Sequence, residues 1–183
     1  MFKKILSVIV LIGVFAACGF TGKGSDPRLV MDRSYSLQGL NFSALAGLTV
    51  SEDVGYYPSA DVVWRGDAPG DRIAQIGSMF ETAAQRNRGV IQGRQPVVVD
   101  VELVRFHGLT EKTRATVGGV YNIVFNFTVR DARTGEVIEP KRRIVADLPG
   151  PGGSQAFALE HQGRTERVQV TEFLTSILRR ELI

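Results

Sequence analysis

The sequence predicts an α+β fold, an antiparallel sheet of three to five strands packed with two amphipathic helices. Three observations predict it. Apolar residues recur at spacings of three and four in two stretches, around residues 73–84 and 170–178. Between these stretches, three segments alternate apolar and polar residues. Glycine-bearing polar turns separate the segments, with no repeat that would mark a second domain.

Taken in order, "SYSLQGLNFS" and "GLTVSED" are short, extended-looking pieces between Leu29 and Ser51, too weakly patterned to assign a pairing. Val62, Val63 and Trp64 make another, stopped by "RGDAPGD". The first helix carries Ile73, Ile76, Phe80, Ala83 and Ala84 on one face; Asp71 or Asp67 can cap its start and Gly89 its end. "QPVVVDVELVRF" then points Val97, Val99, Val101 and Leu103 to one side, with Asp100 and Glu102 on the other. After the polar connection "HGLTEKTRATVGG", the strand "VYNIVFNFTVR" sends Ile123, Phe125, Phe127 and Val129 inward, and Asn122, Asn126 and Thr128 outward. A turn near Gly135 leads to "IEPKRRIVADL", where Pro140 suits an edge strand. The three strands form a meander. Residues 149–164 read as a loop, and the last helix sets Val170, Phe173, Leu174, Ile177 and Leu178 on one stripe. Two one-sided helices against a one-sided sheet give a layered sandwich.

The N-terminus has a different grammar. Lys3 and Lys4 precede thirteen uncharged residues, Ile5 to Ala17, which is the order of an export signal. As a helix this run would span roughly 20 Å, short of the roughly 30 Å hydrocarbon core of a bilayer. It ends at Cys18, the one cysteine in the chain. Phe15, Ala16, Ala17 and Cys18 resemble the lipobox of bacterial lipoproteins, with Phe15 where an aliphatic residue is usual. The resemblance implies cleavage before Cys18 and its lipidation by a diacylglyceryl thioether and an amide-linked acyl chain. Several acyl chains anchor durably where one holds only marginally. The other reading is cleavage after an alanine, leaving a free thiol. Gly19 after the cysteine, where aspartate would retain the protein, resembles the outer-membrane sorting habit of enteric bacteria. The expected layout is therefore a signal peptide at 1–17, a lipidated flexible tether at 18–28 and one α+β domain at 29–183.

Lys and Arg number 22 against 19 Asp and Glu; the signal carries Lys3 and Lys4 and no acid, so 20 face 19 in the mature chain. That near balance removes the electrostatic premise of nucleic-acid binding. With no second cysteine, the fold has no internal disulfide and rests on its core.

No segment assembles a recognisable reaction centre. His107 and His161 lack metal-ligand spacing, and Gly118–Gly119 and "GPGG" lack a phosphate loop's lysine and strand-to-helix setting. Asp100 and Glu102 share a strand face at a spacing that suits paired carboxylates, but alternation places acids on any solvated face. No catalytic residue, metal or cofactor is assigned. The densest unusual composition is Glu52–Arg72, which holds Tyr56, Tyr57, Trp64 and Arg65 among acids and turn formers. These four form the candidate binding surface, since loop aromatics offer contact area at low entropic cost. Alternatively Tyr57 and Trp64 close one end of the core.

"YYPSADVVWRGDAPGDR", "VVVDVELVRFHGLTEKTRATVGGVYNIVFNFTVRDARTGEVI" and the closing helix resemble an uncharacterised family of alphaproteobacterial envelope lipoproteins, a domain of unknown function. The order of helix, three strands and helix is also similar to small envelope lipoproteins that serve transport or assembly systems as accessory subunits. The resemblance brings no established activity, ligand or catalytic residue and supports the envelope location and the single domain. The anchor and the lack of a reaction constellation lead to the expectation of a lipid-anchored, non-enzymatic envelope module with a protein partner. A glycan- or lipid-binding periplasmic domain is the alternative, with a hydrolase behind it. Oligomeric state is left open. Mass spectrometry of the mature product is expected to show a chain beginning at an acylated Cys18; an unmodified sulfur or a retained leader overturns the anchor.

Overall fold

The computed structural model describes residues 33–183; the segments expected to be signal peptide and tether, with Cys18, lie outside the described residues. In chain order the elements are β1 (Tyr35–Ala44), β2 (Val62–Val63), α1 (Arg72–Arg88), β3 (Gln95–His107), α2 (Glu111–Ala115), β4 (Gly119–Asp131), β5 (Val137–Gly150), α3 (Gly153–His161) and α4 (Glu166–Leu182). They form one compact unit from Arg33 to Ile183. The fold is a mixed five-stranded open sheet, mostly antiparallel, with helices on one face.

The three long strands pair as the alternation predicts. β3, β4 and β5 run antiparallel, Val99 opposite Val129, Val101 opposite Phe127 and Phe125 opposite Ile144. Their inward side chains are buried under α1 and α4, which present Ile76, Met79, Phe80 and Ala83, and Val170, Leu174, Ile177 and Leu178. The opposite face is polar and bonds to itself. Asn41 donates to Asp100, Arg130 pairs with Asp100 at 2.6 Å, and Glu102 accepts from Asn126 and Lys141. The Asn126 and Lys141 hydrogen bonds hold the Glu102 carboxyl below its ordinary range. Pro140 falls where two residues of β5, Pro140 and Lys141, oppose the single Thr128, and β5 is an edge of the sheet.

The first described strands pair in a way their sequence hides. β1 lies beside β3 and runs parallel to it, and β2 continues along the same side, Val62 opposite Phe106. Parallel neighbours need a long crossover, which α1 supplies. Gln38 is an extra residue between Leu37, opposite Val97, and Gly39, opposite Val98. This bulge shifts the inward set from Tyr35 and Leu37 to Leu40, Phe42 and Ala44. A single alternation therefore never runs through β1.

Two expected connections are partly helical. The polar link after β3 holds the five-residue α2, closed by a capping box between Thr110 and Thr113. The 149–164 loop contains α3, of which only Ala156 is buried, so no apolar stripe marks it. Asp71 caps α1 by accepting from the Ala74 N–H at 3.0 Å, and Thr165 caps α4 through the Val168 N–H. Gly89 ends α1 with ordinary right-handed backbone.

The domain's first residues are clamped. Glu139 accepts from Arg33 Nε and from the Tyr35 hydroxyl, each at 2.9 Å, and Arg142 links Glu139 to Glu181 of α4. Burial and the Glu139 hydrogen bond push Tyr35 up to about 12.

Gly77 sits mid-helix, where glycine ordinarily costs about 1 kcal/mol against alanine. A Cβ there would lie 2.8 Å from Phe42 Cδ1. The missing side chain lets β1 approach α1, and the Phe42 and Phe80 rings stack at 5.6 Å. Gly77→Ala is therefore expected to lower unfolding stability in urea by about 1–3 kcal/mol despite its better helix propensity. Adding Phe42→Leu should restore part of that loss; stabilisation by Gly77→Ala alone would mean that the ring moves aside freely.

Candidate functional site

At one end of the sheet, the close of β3, the opening of β4 and the close of β5 are covered by loop 45–71, α2, α3 and the first turn of α4. Tyr35, where β1 begins, is at the other end, opposite Gln95. The thirteen residues of β3, at about 3.3 Å each, put about 40 Å between the two ends.

Loop 45–71 is held by buried charges and one indole. Trp64 is fully buried, edge-to-face with Phe106 at 5.6 Å, and its Nε1–H donates to Asp67 at 2.8 Å. Arg72, whose side chain is 2% exposed, donates to both Glu52 oxygens at 2.8 and 2.9 Å and to the Asp67 and Ala68 carbonyls. Arg65 pairs with Glu52 and, at 2.6 Å, with Glu111 of α2. His107 extends the same fastening, its ring N–H donating to the Pro58 carbonyl at 3.2 Å.

A cleft of about 440 Å³ opens beside this loop, lined by Arg65, Asp67, Glu111, Arg114, Phe157, Glu160, Glu166 and Arg167. Its charges are already spoken for. Arg114 pairs with Glu160 and lies 3.4 Å from Glu166; Arg167 pairs with Asp67 and donates to Ser78. Glu166, at the N-terminus of α4, is buried and accepts from the Tyr121 hydroxyl at 2.8 Å. Burial raises the Glu166 carboxyl above its ordinary value, outweighing the Tyr121 hydrogen bond and Arg114, which pull it down. Burial and Glu166 likewise push the Tyr121 hydroxyl far up. Glu111 is burdened by desolvation, yet its bond to Arg65 prevails and leaves its carboxyl lowered. Arg65 Nε is the one buried side-chain nitrogen or oxygen without a hydrogen-bond partner among the described residues.

Outside the cleft the surface turns apolar. No residue of α2 is buried. Lys112 Nζ lies 4.6 Å above the Tyr56 ring, whose hydroxyl is 3.4 Å from Thr116 Oγ1. Tyr57 neighbours Tyr56 at 6.2 Å and is 94% exposed. Val117, just past α2, is 78% exposed, and Phe157 of α3, 44% exposed, lies under the Arg114 guanidinium at 5.3 Å.

The four residues singled out in the sequence therefore separate. Trp64 is core, the other of the two roles open to it, and the physical reason is that its indole N–H finds Asp67 inside. Arg65 lines the cleft, while Tyr56 and Tyr57 flank α2 on the surface. Arg114, Phe157, Glu160, Glu166 and Arg167 join them from segments 49 or more residues away; a glutamate in a helix's first turn reads as ordinary capping, so no local pattern marks them. Asp100 and Glu102 stay on the polar face, and His161 is exposed. Among the described residues no group of three or more His, Cys, Asp or Glu side chains is placed to hold a metal ion. No described helix is long and apolar enough to cross a membrane.

Comparison with known proteins gives a family and distant shapes. The model of a family described as a family of unknown function, DUF6778, matches residues 35–183. The chain belongs to this family. No curated protein matches it. Among solved structures, a Xanthomonas campestris protein assigned to DUF330 is similar with a TM-score of 0.46 and 14% identity, over 80% of this chain and 83% of that one. A candidate lipoprotein from Caulobacter crescentus CB15 is similar with a TM-score of 0.34 and 11% identity, over 82% and 88%. At such values these shapes say nothing of this chain's function.

Because Glu166 binds its proton more tightly folded than unfolded, it supports the fold most at low pH and does so less as pH rises through its raised value. Glu166→Gln, which keeps an acceptor for Tyr121, is expected to flatten that decline when unfolding is followed from about pH 4 to pH 8. An unchanged profile would mean that the carboxyl titrates normally.

Proposed function

We propose that this member of a family without an assigned activity is a lipid-anchored accessory protein of the bacterial cell envelope. It acts by docking a protein partner and not by catalysis. Residues 1–17 direct export, acylation at Cys18 tethers the domain, and Gly19 sorts it to the outer membrane, facing the periplasm. The partner belongs to an envelope transport or assembly system.

The observation that carries the docking reading is the aromatic and aliphatic surface of Tyr57, Val117 and Phe157 around α2. Tyrosine and arginine around an apolar centre have the composition of contact surfaces that hold most of their binding energy in a few residues. The surface lies at the end of the sheet away from Tyr35. A non-catalytic role is supported by the cleft itself, where every guanidinium already neutralises a carboxylate. A glycan-binding domain is the second reading. It has the cleft beside Arg65 in its favour, with Tyr56 and Tyr57 outside it against α2 and without Trp64.

A photo-crosslinking residue at position 57, used in membranes and followed by gentle solubilisation, is expected to trap one discrete envelope protein. The same residue at position 141, on the polar face, should not. With the crosslinker kept at position 57, Val117→Ser together with Phe157→Ser should abolish the crosslinked species while changing stability by no more than about 0.5 kcal/mol per site. If the chain is recovered alone from position 57 as from position 141, the docking role falls; retention of a labelled glycan by the wild type alone would favour the second reading.

A further inference from the structure

The two outer strands of the sheet are treated differently. The start of β1 is covered by the segment leading into β3, through bonds from the Leu37 N–H to Ile91 and from the Gly93 N–H to Tyr35. β5 has β4 on one side and, among the described residues, no strand on the other. Such edges are templates for pairing unless blunted by proline, charge or a bulge. The first half of β5 is blunted in all three ways, by the bulge at Pro140 and the run Lys141, Arg142, Arg143. The second half, Ile144 to Leu148, has no proline or bulge and a single charge, Asp147, and Val145 there is 60% exposed.

We propose that two copies of this chain pair through this edge, β5 against β5, antiparallel about a two-fold axis at Val145. Arg143 and Asp147 stand two residues to either side of Val145, and all three are exposed on the polar face of the sheet. The axis sets Val145 against its own copy and each Arg143 against the other copy's Asp147, giving two cross-strand ion pairs around an apolar centre. Neither residue is otherwise committed to an ion pair. Arg143 makes none among the described residues, and Asp147 accepts only the Asn122 amide, at 2.7 Å.

The register is specified by the same residues. Opposed residues must share a face, so the axis can sit only on a residue. Moved one residue either way, it sets Arg143 or Asp147 against valine; moved two, it opposes two arginines or two aspartates, which is destabilising. On the helix-covered face this pairing sets Ile144 against the other copy's Ala146, joining two cores that are each nearly closed there. Pro149 fits too. Proline is tolerated on an edge strand where its missing N–H would face outward, and Arg143, Val145 and Asp147 share its orientation, so their backbone groups face the partner strand. The pairing does not rest on the lipid anchor.

Sedimentation equilibrium of the full chain in density-matched detergent tests this. Wild type is expected to show a concentration-dependent monomer–dimer equilibrium. Arg143→Asp or Asp147→Arg alone should weaken it about tenfold by placing like charges opposite one another, and the double exchange should restore it to within about threefold. Val145→Cys should give a disulfide-linked dimer on mild oxidation, above the level set by Cys18 in the unchanged chain, while Val137→Cys should not. A chain that is monomeric throughout, a double exchange as weak as the singles, or no linkage at position 145 overturns the proposal.

Discussion

A guanidinium removed from water must find its partners within the protein, and Arg72 finds nearly all of them in one loop. Both Glu52 oxygens and two carbonyls of the chain just before α1 meet it. An arginine in the first turn of a helix is placed against the helix dipole, so the position is tenable only because Glu52 is brought to it. That single requirement folds residues 52–72 back on themselves. It carries Trp64 inward, sets Arg65 beside the same carboxylate and fixes where Tyr56 and Tyr57 emerge. Breaking a buried pair by removing one partner costs about 3–5 kcal/mol, although the half-exposed side of Glu52 lowers that figure here.

The sheet then decides where binding character can reside. Its inner face is filled by two helices, and its outer face is closed electrically by Asp100, Glu102, Arg130 and Lys141 bonding among themselves. The end near Tyr35 is closed by Glu139 with Arg33, Tyr35 and Arg142. Apart from the second half of the β5 edge, what is left is the end built from α2 and α3, two short helices with scarcely a buried side chain between them. Elements so weakly held by the core are free to carry exposed tyrosine, valine and phenylalanine, because their side chains answer to solvent and partners and not to packing.

The electrostatics of the cleft have the same logic. Three arginines around a concave space would make an anion site if they were alone. Here each meets a carboxylate from a different element: Arg65 of the loop with Glu111 of α2, Arg114 of α2 with Glu160 of α3, Arg167 of α4 with Asp67 of the loop. The network ties together segments that share little apolar contact. Glu166 is its most buried acid, and it is held where desolvation favours the proton.

The sequence by itself determined whatever repeats with a fixed period. The β3–β4–β5 meander and the apolar stripes of α1 and α4 were legible because burial of one face imposes alternation or a 3.6-residue spacing on the residues themselves. Pro140, with no N–H for a ladder, marked an edge strand, and the cap of α1 was narrowed to Asp71 or Asp67, of which the structure uses Asp71. The likeness to a domain of unknown function was legible too, and the family found is one of unknown function. β1 was not legible as a partner of β3, since the extra residue at Gln38 reverses its inward set and parallel pairing depends on a crossover far along the chain. Nor were the short helices, which bury almost nothing. Of the candidate surface, Tyr56, Tyr57 and Arg65 were visible as composition, but only tertiary structure separated them from Trp64, because the choice turns on whether the indole N–H has a partner inside. Arg114, Phe157 and Glu166 were joined to them by folding alone, since charges meeting across a cleft leave no spacing in the chain.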